Sequence, residues 1–496
     1  MIWTKTPQMG ANCPRIQDLD GNSRKSRSCA GAVPKNRVLY LSSVTMKWTT
    51  LSFFVFSLFC TSQTKNPHAP DSPWPEGHGT YCQQSTDQSS ITSLEGLKLE
   101  RMPFGGNDDG WSPSGTIVSE RYPNGAYTCW GTNAKKIYKM VVDGGKTQMV
   151  FANKAKIGHK LVSGYWVMTK DRYCYFMSDW AIYILRDVDL EDPYSEIGLV
   201  ARIPTPELKT KGPGLDFMIG MKLLYNGQII TTTRKGKIAL FDPVQREIVD
   251  IVDLGERIQN NMAVEEGNFV YINSNKGNYQ FKIENERIVQ KWFAKTVKSG
   301  STPSLLDHGD DKLMVVTNEN ATMVLFALWR HDIPKDWAAL PGKVRRIAGE
   351  INVNYGENRP RPSKNSVLVH DNSILVANWT GLWPYGKKDR AGLAKYGWNA
   401  EENKFENVWV NTEVALPNSM QALSAGSGMV YAVGRRKSSK KERSWTFEAI
   451  DWETGASSFH IPLGPEKMNN ATGSGIQVGW DGDIVFMTPK AACRIY

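Results

Sequence analysis

The stretch Phe447–Phe459 reads FEAIDWETGASSF, and it decides the fold of this chain. Apolar residues flank a short segment of turn-forming residues, which is the pattern of two strands joined by a tight turn. Asp451 can accept hydrogen bonds from the backbone of that turn, and Gly455 tolerates a positive φ. The stretch therefore predicts a β-hairpin with an aromatic side chain packed against a neighbouring sheet.

A related unit, a turn followed by a strand, a second turn and a second strand, recurs eight times. The copies begin at Asn124, Asp171, Asn226, Gly267, Asp311, Asn372, Gly428 and Asp481. Their strands are rich in Val, Ile, Tyr and Thr, and no long segment with a helical period interrupts them. Repeats of about 40 to 60 residues with two to four strands are typical of propeller blades. We therefore predict an all-β chain, a β-propeller of eight four-stranded blades, with seven blades as the alternative.

The last repeat lacks one strand, because the sequence after Ile476 has room for only three before Tyr496. The segment GLKLERM, Gly96–Met102, alternates as a strand does and precedes the first complete repeat. We expect this N-terminal strand to close the ring, since closure removes sheet edges that would otherwise pair with other chains.

Composition favours a soluble globular chain over a nucleic-acid-binding one. The 496 residues carry a formal net charge of +10, but residues 1–62 hold eight basic and two acidic residues. The rest of the chain therefore has a net charge of only +4, which is typical of an ordinary solvated surface. We expect no nucleic-acid partner and a monomeric protein.

A secretory signal peptide is predicted at residues 46–62, which read MKWTTLSFFVFSLFCTS. Lys47 supplies the positive end, an apolar run follows, and small residues around Ser62 suit a signal peptidase. The run has about fourteen apolar or uncharged residues, fewer than the roughly twenty of a membrane-spanning helix. We expect residues 1–45 to lie upstream of the natural start, residues 63–496 to form one propeller domain, and the product to be extracellular. A transit-type leader or a long n-region is the alternative.

Four cysteines remain beyond the predicted cleavage site. Cys82 and Cys493 are both expected near the seam where the ring closes, so a disulfide between them is a candidate. Cys129 and Cys174 occupy equivalent positions in successive repeats, where their side chains point the same way round the ring. We expect these two to be buried thiols rather than a bridge.

Three Asn-x-Ser/Thr sequons are candidate glycosylation sites if the chain is exported. They lie at Asn320, Asn378 and Asn470, where turns or connections are expected.

The hairpin at Phe447–Phe459 resembles the tryptophan-docking repeat of quinoprotein alcohol dehydrogenases. Five residues fall on the pattern Ala-x-Asp-x-x-Thr-Gly-Lys-x-x-Trp, namely Ala449, Asp451, Thr454, Gly455 and Phe459. Ala456 replaces the Lys, and Phe459 replaces the Trp. The C-terminal third also resembles poorly characterised secreted propellers of the same quinoprotein-like superfamily.

The resemblance implies a flat pocket for pyrroloquinoline quinone, a calcium ion held by carboxylate and amide oxygens, and a carboxylate base. Relatives often cover the quinone with two adjacent cysteines, and this sequence has no such pair. The stretch nearest to a calcium loop contains Asn107, Asp108 and Asp109, which more often form a solvated turn. We therefore expect no quinone, no calcium, and no assignable catalytic, cofactor or metal residues.

Other candidates for chemistry are isolated. His78 and Glu76 form a single weak pair, expected near the ring closure, and no two histidines have zinc-ligand spacing. The basic run Gly434–Arg443 predicts either a solvated loop or a contact for sulfated glycans.

The sequence favours a secreted binding or matrix-type propeller without quinone chemistry, whose ligand is a protein, a glycan or a small molecule. The alternative is a divergent secreted oxidoreductase, or a hydrolase or lyase, with its site at the mouth of the channel.

Overall fold

The computed structural model describes residues 64–79, 83–104, 116–132, 136–152, 165–296, 298–318, 322–358, 360, 365–378, 390–416, 419–437, 443–466, 469–471 and 475–496. These residues form 33 β-strands and two 3₁₀ helices, Pro206–Leu208 and Ala425–Ser427. Neither helix is long or apolar enough to cross a membrane, and the described residues contain no other helix. The predicted signal peptide and the segment upstream of it lie outside the described residues.

The first two strands are β1 (Ser85–Thr86) and β2 (Leu99–Pro103), and the others form blades in chain order. Blade 1 contains β3 (Ile117–Val118), β4 (Tyr127–Thr132), β5 (Ile137–Asp143) and β6 (Lys146–Phe151). Blade 2 contains β7 (Trp166–Met168), β8 (Cys174–Ser178), β9 (Ala181–Asp187) and β10 (Ile197–Pro204). Blade 3 contains β11 (Met218–Leu223), β12 (Ile229–Thr233), β13 (Lys237–Asp242) and β14 (Glu247–Asp253). Blade 4 contains β15 (Ala263–Glu265), β16 (Phe269–Asn273), β17 (Asn278–Glu284) and β18 (Arg287–Ala294).

The second half of the ring follows the same plan. Blade 5 contains β19 (Ser304–His308), β20 (Asp311–Thr317), β21 (Val324–Trp329) and β22 (Ile347–Asn352). Blade 6 contains β23 (Leu368–His370), β24 (Ser373–Ala377), β25 (Leu393–Asn399) and β26 (Lys404–Asn411). Blade 7 contains β27 (Ala422–Ser424), β28 (Met429–Lys437), β29 (Arg443–Asp451) and β30 (Ser457–Gly464). Blade 8 contains β31 (Gln477–Val478), β32 (Ile484–Met487) and β33 (Ala491–Ile495), with β2 as its fourth strand.

Buried apolar clusters join the blades into a closed ring. Successive side chains of a strand point to opposite faces of its sheet, so each blade packs against both neighbours. On β19, for example, Leu305 packs with blade 4 and Leu306 packs with blade 6. Other clusters join blades 1 to 2, 2 to 3, 3 to 4 and 6 to 7. A final cluster is shared by blades 7, 8 and 1, which completes the circle.

The prediction of eight blades is confirmed. Each of the eight repeats read from the sequence supplies the second strand of one blade, from β4 in the first to β32 in the last. The first, innermost strand of each blade precedes the repeat and is often only two or three residues long.

The last blade draws on both ends of the described chain. β2 pairs antiparallel with β33, with Leu99 opposite Ile495 and Pro103 opposite Ala491. Beyond the strands, the backbone N–H of Lys98 donates to the carbonyl of Tyr496 at 2.8 Å. The strand from the stretch Gly96–Met102 thus covers the edge of β33 that would otherwise be unpaired.

The turn at Asp451 has the predicted chemistry. The Asp451 carboxylate accepts both the backbone N–H and the hydroxyl of Thr454, each at 2.7 Å. Gly455 has a φ of +71°. Phe459 is buried in the apolar cluster shared by blades 7, 8 and 1.

The cysteines divide between confirmed and unsupported predictions. Cys129 and Cys174 are buried free thiols on the second strands of blades 1 and 2, as predicted. Cys493 is also a buried free thiol, whereas Cys82 lies outside the described residues. The next residue, Gln83, bonds to the inner strands of blades 5 and 6, while Cys493 lies on the third strand of blade 8. The predicted Cys82–Cys493 bridge therefore has no counterpart in the structure.

Two of the three predicted glycosylation sites are buried. The Asn378 side chain is fully buried and donates to the carbonyl of Ala391 at 3.4 Å, and Asn470 is also buried. A glycan needs a route from its amide to solvent, so the folded structure gives these two sites no support. Asn320 lies outside the described residues.

Candidate functional site

The N-terminal segment descends into the channel that the inner strands surround. Near its start, the Asn66 side chain donates to the carbonyl of Leu223 on β11 at 3.0 Å. Further along, the carbonyl of Trp74 accepts the Val118 N–H of β3 at 3.0 Å. Glu76 then forms an antiparallel bridge with Val167 of β7. Residues 64–76 therefore run against the direction of the blade 2 inner strand.

The chain then reverses and returns along blades 6 and 7 to the end of the channel at which it entered. The carbonyl of Gln83 accepts the Val369 N–H of β23 at 3.0 Å, and the carbonyl of Gln84 accepts the Leu423 N–H of β27 at 2.9 Å. β1 follows and pairs parallel with β27. At its exit, the Ser90 N–H donates to Ser427 Oγ at 2.5 Å, beside the turn that joins the first two strands of blade 7.

We name the described parts of residues 64–90 the axial hairpin. Its backbone and side chains bond to the inner strands of blades 1, 2, 3, 5, 6 and 7. Inner strands have one unpaired edge, and unpaired backbone groups away from water cost free energy. The hairpin satisfies part of that edge, so the protein's own chain fills the axis of the propeller.

His78 lies at the deep end of the axial hairpin, so the sequence expectation that placed it near the ring closure is wrong. Its ring is buried and stacks on Tyr165 with centroids 5.4 Å apart. Burial, helped by the nearby charge of Lys222, lowers the pKa of His78 to about 3. The imidazole is therefore neutral at neutral pH.

Glu76 pairs with Lys222 rather than with His78. The carboxylate and the ammonium group form a salt bridge, and both side chains are buried. A buried pair of this kind loses most of its value if one member is removed, because the other charge is then left without a partner. This pair ties the descending arm of the hairpin to blade 3.

Several buried polar atoms around the hairpin have no partner within the described protein. They are Trp74 Nε1, His78 Nδ1, Gln84 Oε1, Ser366 Oγ and Gln421 Oε1. Both glutamine amides donate to the carbonyl of Ser366, at a long 3.5 Å. The side-chain hydrogen bonds of the described residues at the axis are therefore incomplete.

The described residues do not fit a calcium and quinone site. The carboxylates of the inner strands include Glu265 and Asp307, and Arg330 forms salt bridges with both. Across the described ranges, no three His, Cys, Asp or Glu side chains are grouped to hold a metal ion. The sequence stretch nearest to a calcium loop, around Asp108, lies outside the described residues.

A cleft of about 710 Å³ lies between blades 2 and 3, beside the base of the axial hairpin. Its walls come from the turn after β7, the turns after β11 and β13, and hairpin residues Pro67 and His68. Tyr175 and Ile184 of blade 2 line it and are otherwise buried. Ligand pockets commonly enclose about 300 to 1,000 Å³, so the cleft has the size of a small-molecule site.

Some charged residues of the cleft bond to other groups of the protein, and others do not. Asp242 accepts the N–H groups of Val244 and Gln245 at 2.8 Å, which shapes its own turn. Lys170 and Arg246 line the same cleft, and neither side chain bonds to a described residue. The cleft therefore offers free positive groups, while part of its negative charge is engaged in turns.

Sequence reasoning missed this cleft and named other residues. The basic run Gly434–Arg443 is split by residues 438–442, which lie outside the described residues, and Arg436 pairs with Glu448 and Glu413. Lys170 and Arg246 are far apart in sequence, so no spacing predicts that they share a cavity. The only signal was positional, because Lys170 lies beside the turn predicted to begin the repeat at Asp171.

The comparisons agree with the fold. No protein-family model matches the chain. An uncharacterised protein of Archaeoglobus fulgidus is 26% identical over 457 residues, covering 84% of this chain and 85% of that protein. Quinohemoprotein alcohol dehydrogenase from Pseudomonas putida HK5 superposes with a TM-score of 0.55 at 10% identity, covering 86% of this chain and 80% of that one. The enzyme from Comamonas testosteroni gives 0.51 at 12% identity, covering 87% and 80%.

The similarity to these two structures covers most of the chain but is low in sequence, so it concerns the fold alone. The chain has an eight-bladed β-propeller fold similar to that of these quinohemoprotein alcohol dehydrogenases.

Proposed function

We propose that this chain is an extracellular binding protein that has kept the quinoprotein scaffold and lost quinone chemistry. One observation carries the proposal: the axis of the propeller is filled by the chain's own N-terminal hairpin. A cofactor as broad and flat as a quinone needs open space, and here backbone and buried side chains occupy it.

The charge arrangement supports the same function. Glu76, Glu265 and Asp307 each pair with a buried cation of this chain. A carboxylate held by Lys or Arg is a poor general base and a poor calcium ligand, because its charge is already compensated. The inner strands thus use their acidic groups to hold the structure together.

The binding role falls to the cleft between blades 2 and 3. It has the volume of a ligand site, aromatic walls from Tyr173 and Tyr175, and polar groups from two blades. Concave sites with apolar walls and a few polar groups are the usual form of small-molecule and glycan sites.

Secretion rests on the signal-like segment that ends near Ser62. The described chain begins at Thr64, and both Thr64 and Lys65 are exposed. Cleavage near Gln63 would leave the described axial hairpin whole, since its first bond to a blade is made by Thr64, whose carbonyl accepts the Tyr225 hydroxyl at 2.8 Å. N-terminal sequencing of material from the culture medium tests this, and a product that retains SFFVFSLF would contradict it.

The purified protein itself tests the loss of quinone chemistry. We expect no absorbance in the quinone band, no stoichiometric calcium by elemental analysis, and no dye-linked oxidation of alcohols after addition of pyrroloquinoline quinone and calcium. Stoichiometric quinone and calcium together with alcohol oxidation would overturn the proposal in favour of an oxidoreductase.

A further inference from the structure

We propose that the cleft between blades 2 and 3 binds an acidic sugar, a uronic acid unit of an oligosaccharide, and this proposal rests on the binding function proposed above. The groups of the cleft that are free, and those that are already used, define the class of ligand. Binding involves no covalent step.

Two free donors of the cleft are cationic. Lys170, in the turn after β7, and Arg246, in the turn after β13, both have exposed side chains without an ion pair among the described residues. In contrast, the buried Lys139 of blade 1 is paired with Asp187 at 2.5 Å and has no charge to offer a ligand. Arg presents a planar fork that matches a carboxylate, and such charge-assisted bonds are the strong ones.

The acidic groups of the cleft are partly engaged but still have room for hydroxyl groups. One oxygen of Asp242 accepts two backbone N–H groups, and one oxygen of Asp171 accepts the Thr169 hydroxyl at 2.5 Å. Each carboxylate has about four lone-pair sites, so its other oxygen can accept a hydroxyl. A ligand with one anionic group and several hydroxyls fits this set, whereas a simple anion leaves the acidic oxygens unused.

The apolar surface of the cleft suits the face of a sugar ring. Tyr175 and Ile184 are buried side chains that line it, and Tyr173 stands beside them under the Arg186 guanidinium, 4.3 Å from the ring centre. Burial raises the pKa of the Tyr175 hydroxyl most, and the negative charge of Asp171 raises it further. The hydroxyl is therefore a neutral donor at neutral pH. It makes no hydrogen bond to a described residue. An aromatic ring with a free hydroxyl can pack on a sugar and bind one of its oxygens.

Inorganic sulfate or phosphate could bind the two cations as a uronate does. Only the sugar would also contact Asp171, Asp242 and the tyrosine surface. An uncharged form of the same sugar and an anion without a sugar therefore distinguish the two classes of ligand.

Calorimetric titration of the full secreted chain with tetragalacturonate, its methyl ester and sodium sulfate tests the proposal. We expect tetragalacturonate to bind and the methyl ester, which is the same sugar without charge, to bind at least about tenfold more weakly. Arg246→Gln and Lys170→Gln should each weaken tetragalacturonate binding by about tenfold or more. The matched change Arg287→Gln, on an exposed arginine of blade 4, should leave it unchanged.

Four results would overturn the proposal. They are no binding of tetragalacturonate, equal binding of the ester, equal effects of Arg246→Gln and Arg287→Gln, or sulfate binding as tightly as the sugar, which would mean an adventitious ion only. Each concerns the ligand class alone. Failure of the proposed function would appear separately, as alcohol oxidation by the same preparation with quinone and calcium.

Discussion

The indole of Trp409 on the outer strand of blade 6 lies directly against Gly455 in the turn of blade 7. Its Nε1 donates to the carbonyl of Trp452 at 2.9 Å. A Cβ on Gly455 would stand 2.4 Å from two indole carbons. The tryptophan that docks on the motif hairpin thus comes from the preceding blade, and Gly455 is required for the approach as well as for its φ of +71°.

Gly455→Ala should destabilise the protein by about 2 to 4 kcal/mol, because the new methyl group adds overpacking to backbone strain. Gly96→Ala is the matched control, since Gly96 also has a φ of +71° but open space around its Cβ position. It should cost only about 1 kcal/mol. If urea unfolding gave the same loss of unfolding free energy for both variants, the contact of Gly455 with Trp409 would not contribute to stability.

Asp451→Ala should lower stability by about 1 kcal/mol, the value of a lost turn cap. The hydroxyl of Thr454, which bonds to the carboxylate, lowers the pKa of Asp451. The stabilisation is therefore present above the ordinary aspartate range and is lost as pH falls through the lowered pKa. Because the bonds from Thr454 to Asp451 lie at the surface, water replaces them in the variant and the cost stays small.

The turn lies on a different blade from the cleft, so cleft binding should be unchanged in folded Asp451→Ala. Unfolding curves for wild type and variant should converge at strongly acidic pH. If the difference in unfolding free energy between wild type and Asp451→Ala stayed constant down to that pH, the ionised carboxylate would not be the stabilising form.

Glu76→Gln should loosen the axial hairpin by about 3 to 5 kcal/mol, because it leaves Lys222 charged and buried without its carboxylate. Hydrogen exchange and limited proteolysis should then increase in residues 64–79, with the blades still protected. The control is Asp71→Asn in the same segment, whose salt bridge with Lys65 is 75% and 67% exposed at its two side chains. Such an exposed pair contributes about 0 to 1 kcal/mol. Equal protection in both variants would contradict the anchoring role of Glu76.

The prediction from the sequence succeeded where a segment makes regular bonds to its neighbours in the chain. The second and third strands of each blade form long hairpins such as β28 and β29, so their alternation is visible. First strands such as β3 and β31 have two residues, too few for any pattern. The axial hairpin bonds in turn to six different blades, and such irregular bonding leaves no periodic pattern in the sequence.

His78 should make the protein sensitive to acid. Its pKa is about 3 in the folded chain, against the ordinary histidine value of 6.5, so between these values the unfolded chain binds the additional proton. Stability therefore falls as pH decreases from 6.5 towards 3, by up to about 1.4 kcal/mol per pH unit. We expect the free energy of unfolding, measured in urea at each pH, to fall less steeply with decreasing pH in His78→Gln than in wild type. Identical dependence of the unfolding free energy on pH in wild type and His78→Gln would contradict a buried, neutral His78.

Calorimetric titration of the wild-type chain with pyrroloquinoline quinone in excess calcium is the decisive measurement for a channel filled by the protein's own chain. With the axial hairpin inside the channel, we expect no saturable heat of binding and no change in hydrogen exchange of residues 64–90. One quinone bound per chain, together with loss of protection in those residues, would show that the hairpin yields to a cofactor and that the quinone site has been retained.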